Sequence, residues 1–163
     1  MAQTRPARLM DGRDIARRIV DTSSAAAADL QRRTGTAPCL ATVLVGEDPA
    51  SVTYVRMKRN RCEQAGICSR HVALPASTTT DTLVETISAL SRDPEVHGIL
   101  LQHPVGAHID ERAAFEAIAP EKDVDGVTMR SFAAMSFGLP RLRVLHARRH
   151  SPAARRVPGR PGR

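Results

Sequence analysis

The sequence predicts an α/β fold, a three-layer domain with helices on both faces of a parallel sheet. Two observations carry this expectation. Short, nearly continuous apolar runs, CLATVLV at 39–45 and GILLQ at 98–102, suit strands buried on both faces. They alternate along the chain with longer segments of helical periodicity, and repeated strand–helix–strand units bring each strand back parallel to the last.

The first helix is expected over residues 14–33, rich in Ala and Arg and stopped by Gly35 and Pro38. After the strand at 39–45, Gly46-Glu47-Asp48-Pro49 turns the chain into a second helix over 50–65, ended by Gly66. A strand follows at 68–74. Residues 80–92 form the clearest amphipathic helix, with Leu83, Ile87 and Leu90 along one face and Thr82-x-x-Glu85 as a capping box. The strand at 98–102 comes next. Asp110 then caps a short helix through Ile118, with Ala114, Phe115 and Ile118 facing inward. Ligands of such sheets bind at the carboxyl ends of the strands, where Gly46, Gln102 and their loops belong.

The 163 residues fit one domain, expected over 1–140. With aromatics at 2%, no Trp and Tyr54 the single Tyr, the core has to come from Ala, Val, Ile and Leu. The net charge of +7 belongs to the end of the chain, because residues 141–163 hold eight Arg and no acid. That stretch has no periodic apolar face and is expected to be a disordered basic tail. Cys39, Cys62 and Cys68 show neither CxxC nor metal-ligand spacing and read as small thiols in a reducing compartment. No apolar run suits a signal peptide or a membrane span, so a cytoplasmic protein without a membrane partner is expected.

Three segments carry the candidate chemistry. In SVTYVRMK, Tyr54 and Lys58 lie one helical turn apart on one face. A lysine beside an aromatic ring at the sheet's carboxyl edge is a proton-transfer group if burial lowers its pKa, and a solvated surface pair otherwise. In LLQHP, Gln102 closes an apolar strand, either lending its amide to Lys58 or a ligand, or capping the strand. His103 and His108 lack a carboxylate or Cys to complete a metal site, and no metal is expected. In EKDVDG, an Asp in a tight turn can accept hydrogen bonds from the N–H groups of a planar heterocycle, or simply close an Asx turn. A calcium loop is excluded by its missing ligand positions.

In order and spacing, GEDPASVTYVRMK, GILLQHPVGAHID and IAPEKDVDG resemble the signature segments of the bifunctional methylenetetrahydrofolate dehydrogenase/methenyltetrahydrofolate cyclohydrolase family, over residues 8–140. The resemblance implies NADP-dependent oxidation of 5,10-methylenetetrahydrofolate, then hydrolysis of the methenyl product to 10-formyltetrahydrofolate. It makes Lys58 the central catalytic lysine, with Tyr54 stacked on the folate and Gln102 hydrogen-bonded to Lys58. Asp125 anchors the pterin, while Ser51 and Pro104 line the pocket. It also implies tetrahydrofolate derivatives as partners, a homodimer, and no specific nucleic acid.

Departures from the family pattern set further expectations. The family's Gln-Leu-Pro-Leu-Pro is here Gln102-His103-Pro104-Val105-Gly106, and Gly106 is expected to loosen a folate-contacting loop. After Pro140 the family continues through Pro-Gly-Phe-x-x-Cys-Thr-Pro into a Rossmann domain that holds NADP. No GxGxxG run occurs here, so no cofactor is expected to bind this chain and its activity is expected to be impaired. Back-translating Pro140 to Arg155 with GC-rich codons and starting one base later recovers Pro-Gly-Phe-Val-Ser-Cys-Thr-Pro. A single inserted base therefore accounts for an out-of-frame tail. The alternative is a nucleic-acid-binding protein whose Arg-rich tail grips phosphate, though no aromatic residue interleaves those arginines.

Overall fold

The computed structural model describes residues 11–139. Helix α1 (Gly12–Thr34) leads to strand β1 (Cys39–Val45), helix α2 (Pro49–Gln64), strand β2 (Cys68–Leu74), helix α3 (Thr80–Arg92) and strand β3 (Gly98–Gln102). Helix α4 (Glu111–Glu116), a 3-10 turn (Pro120–Lys122) and helix α5 (Met129–Ser136) complete it. The three strands are parallel in the order β2-β1-β3, which puts the most apolar strand in the centre.

Strand alternation decides what each face meets. Ala41, Val43 and Val45 of β1, with Ile99 and Leu101 of β3, point to one side. There they pack on Leu83, Ile87 and Leu90 of α3 and on Ala114 and Ile118. Thr42, Leu44 and Leu100 point to the other side, which α2 covers with Val55 and Cys62, followed by Ala65 at its C-cap, and α1 lies against α2. The core is thus aliphatic, as the composition requires.

The helix ends follow local chemistry. Asp48 caps α2 by accepting a hydrogen bond from Ser51 N at 2.8 Å, with Pro49 at the first position, where its missing N–H costs nothing. Gly35 ends α1 at φ 78°, donating to Gln31 O at 2.8 Å. The capping box expected at Thr82 and Glu85 is corrected: Thr79 is the cap, accepting from Thr82 N at 3.2 Å. In TTTD any of several threonines can serve, and the structure uses the one whose own backbone is extended. Helix α4 stops at Glu116, two residues before Ile118, though Ala114 and Ile118 do face the core. Helix α5 has no counterpart among the elements the sequence predicts. The expected tail over 141–163 lies outside the described residues.

Candidate active site

Gln102 ends β3 beside Leu44 of β1, at the carboxyl edge of the sheet. Alternation turns its side chain to the same face as Leu44 and Leu100, the face that α2 covers. Lys58 sits more than two turns into α2, but side chains on a helix lean toward its N-terminus, which here is the carboxyl edge. Its Nζ donates to Gln102 Oε1 at 3.0 Å, and Gln102 Nε2 donates to His103 O at 2.9 Å. Both ends of the amide are engaged, its oxygen toward Lys58 Nζ and its nitrogen toward His103 O. The structure thus joins two residues 44 positions apart in sequence into one polar pair.

Tyr54 lies one turn before Lys58 and is 59% exposed, its ring free on the rim. Ser51 is only 4% exposed, held under the start of α2 by Asp48. Hydrogen bonds from Ser51 hold the Asp48 carboxyl below the usual carboxylate range, keeping the cap ionised. Pro104 is exposed, directly after the pair.

The EKDVDG segment packs beside the same strand. A parallel bridge between Ile99 and Asp123 sets it alongside β3, and the chain bends directly after Asp123. Gly98 makes room for this, since a Cβ there would stand 2.7 Å from Val124 Cγ1. Asp123 is the turn's organiser. Its Oδ1 accepts from Gly126 N at 2.8 Å and Val127 N at 3.2 Å, and its Oδ2 from Thr128 N at 2.9 Å and Thr128 Oγ1 at 2.8 Å. Burial pushes the Asp123 carboxyl up, but hydrogen bonds from Thr128, Ser131 and Val127 outweigh it and hold the group below its ordinary value. Asp125 is exposed and makes no hydrogen bond among the described residues, which leaves its oxygens available.

Of the two roles this segment offers, an Asx turn and a ligand-binding Asp, the structure gives the first to Asp123 and leaves Asp125 available for the second. The signal for Asp123 was the Asp-x-x-Gly spacing, in which a carboxylate accepts from the N–H three residues on. Both histidines have local engagements: His108 Nε2 is 3.0 Å from Thr78 O, and the His103 ring meets Phe115 edge-on at 6.0 Å between centroids. A cleft of about 360 Å³ is lined by His103, Arg112, Phe115, Gly126 and Phe132. Gly106 has a φ of 105°, which proline cannot adopt, and a Cβ there would stand 3.0 Å from His108 Cε1.

Comparison with known proteins agrees with this geometry. Residues 10–125 match the description of the tetrahydrofolate dehydrogenase/cyclohydrolase catalytic domain. The chain is 74% identical over 140 residues to bifunctional protein FolD 1 of Streptomyces avermitilis, covering 86% of this chain and 49% of that protein. A 5,10-methylenetetrahydrofolate dehydrogenase from the silkworm Bombyx mori superposes with a TM-score of 0.80 at 36% identity, over 83% of this chain and 47% of that one. The FolD of Trypanosoma brucei, solved with NADP and an inhibitor, gives 0.76 at 34% identity over 80% and 45%. The chain spans about half the length of the curated relatives it matches. With the motifs, the sheet and the matched residues in agreement, the chain belongs to the tetrahydrofolate dehydrogenase/cyclohydrolase family through its catalytic domain.

Proposed function

We propose that this chain supplies the folate half of an enzyme that oxidises 5,10-methylenetetrahydrofolate with NADP and hydrolyses the methenyl product to 10-formyltetrahydrofolate. The single observation that carries the reading is the Lys58–Gln102 contact of 3.0 Å at the carboxyl edge, with Tyr54 one turn away. In this reading Tyr54 stacks on the folate and orients it over Lys58. Asp125 accepts hydrogen bonds from the pterin N–H groups, and Pro104 with the buried Ser51 shapes the pocket wall. Water adds to the cationic methenyl carbon, the bond from that carbon to one bridging nitrogen breaks, and Lys58 moves one of the water's protons to the departing nitrogen while the other leaves to solvent as the formyl carbonyl forms. Gln102 holds Lys58 in line through its amide oxygen.

The residues present do not fit a nicotinamide dinucleotide. The sequence contains no GxGxxG run to receive a pyrophosphate at a helix N-terminus, and no hydride step is assigned to these residues. We infer that NADP is held outside residues 1–140, and that the family's homodimer is formed by the whole enzyme. The identity to the Streptomyces relative runs over 140 of the 163 residues, which supports an out-of-frame tail at 141–163. Sequencing the gene across the codons for 138–160 tests this: an added base confirms the shift, and a frame without the Cys-Thr-Pro segment ends it. The nucleic-acid alternative rests on arginines outside the described residues, and the family match lends it no support.

The functional test is binding of 5,10-methenyltetrahydrofolate to the 163-residue chain. Binding by the wild type that weakens at least about tenfold in Lys58→Met, some 1.4 kcal/mol, supports the proposal. Equal affinity in the two proteins would remove Lys58 from the site.

A further inference from the structure

The amino ends of the strands, opposite the Lys58–Gln102 edge, carry a second cluster of reactive groups. Cys39 and Cys68 are the first residues of β1 and β2 and are direct partners in the parallel register. The pairs Val43–Val72 and Val45–Leu74 follow in the same alternation and pack toward α3, so both thiols project from that face. Backbone contacts hold them there. Cys39 N donates to His97 Nδ1 at 3.1 Å, Cys39 O accepts from His97 N at 2.9 Å, and Cys68 N donates to Pro38 O at 2.8 Å. In-register neighbours lie roughly 4.8 Å apart across a sheet, within the ~4.4–6.8 Å between Cα atoms that a disulfide spans. Because β2 is an edge strand and both residues are strand ends, small closing movements meet little resistance.

We propose that Cys39 and Cys68 form a thiol-oxidation site, at which a low-molecular-weight disulfide thiolates Cys68 and Cys39 then resolves the adduct into a Cys39–Cys68 bridge. The inference is independent of the folate reading. Cys68 is exposed and meets the oxidant first, whereas Cys62 is buried in α2 on the other side of the sheet. The Cys68 thiolate attacks one sulfur of the disulfide RSSR, forming Cys68–S–S–R and releasing one thiolate. Cys39 then gives its proton to solvent and attacks the Cys68 sulfur, expelling the second thiolate. The two cysteines lose two electrons and RSSR gains them. Burial, with the neighbouring Cys68 thiol, pushes Cys39 up to about 11, which explains the order of events. Thiolation of Cys68 removes the negative charge it would otherwise place beside Cys39. The bridge closes a ring containing β1, α2 and β2, the unit that carries Tyr54 and Lys58.

The test uses the full chain under native conditions with oxidised glutathione as RSSR, read by intact mass and peptide mapping. The expected product has lost two hydrogens, carries no adduct, joins the Cys39 and Cys68 peptides, and leaves Cys62 free. Cys39→Ser should convert it to a stable glutathione adduct on Cys68, and Cys68→Ser should stay unmodified. A lasting adduct on wild-type Cys68, a bridge involving Cys62, or no modification would overturn the proposal. Wild-type mapping decides alone if Cys39→Ser does not fold.

Discussion

The α3 side of the sheet and its carboxyl edge are built on opposite terms. On the α3 side Leu83, Ile87, Ile99 and Ala114 have no exposed surface, and close packing leaves little freedom. At the edge Tyr54 is exposed, as is Asp125 in the loop beside β3, and the Lys58–Gln102 pair stands at the rim with capacity for further hydrogen bonds. Asp123 lies between the two regions, buried and saturated only two residues from the open Asp125. Stability and ligand binding therefore rest on different side chains, and substitutions should separate them.

The largest expected effect is in the closed region. Ile87→Ala should lower unfolding stability by about 2–5 kcal/mol, measured by urea denaturation with an unchanged slope. At the junction, Gly98→Ala should cost about 1–3 kcal/mol because its new Cβ meets Val124 Cγ1 at 2.7 Å. Adding Val124→Ala should restore part of that loss, and no restoration would mean the packing of Val124 on Gly98 is unimportant.

Asp123→Ala should cost about 1–3 kcal/mol, since it leaves buried N–H groups of Gly126 and Thr128 without an acceptor. The pH dependence has a definite sign. The folded pKa of Asp123 is lowered, so its stabilisation is complete above the unfolded value of about 3.9 and is lost as pH falls through the folded value. Wild type should therefore lose more stability than Asp123→Ala on acidification through that window. Parallel pH curves would show that Asp123 contributes nothing through its charge. The smallest effect on stability belongs to the edge, where Lys58→Met should change it by no more than about 0.5 kcal/mol.

The sequence was most legible where burial is continuous. The strands 39–45, 68–74 and 98–102 and the helix 80–92 match the structure at both ends, because apolar runs and a three-to-four spacing leave few alternatives. Helix α5 was missed because its exposed Met129 and Phe132 and its buried Ser131 and Ala134 invert the usual polarity. Its one signal was Thr128, whose hydroxyl accepts from Ser131 N at 3.1 Å. At the site, helical spacing places Tyr54 beside Lys58, while the Gln102–Lys58 contact, 44 positions apart, follows from the family resemblance and not from any local spacing. Likewise, EKDVDG offers two aspartates of equal appearance, and the strand pairing at Ile99 determines which is consumed by the turn.

The most direct measurement of this division of labour is a titration of 5,10-methenyltetrahydrofolate into wild type and Asp125→Ala, with urea unfolding of both. Asp125→Ala should lose at least about tenfold in affinity, about 1.4 kcal/mol, with stability unchanged within about 0.5 kcal/mol. Equal affinities, or a fall in stability as large as that of Asp123→Ala, would contradict the assignment of the open edge to folate binding.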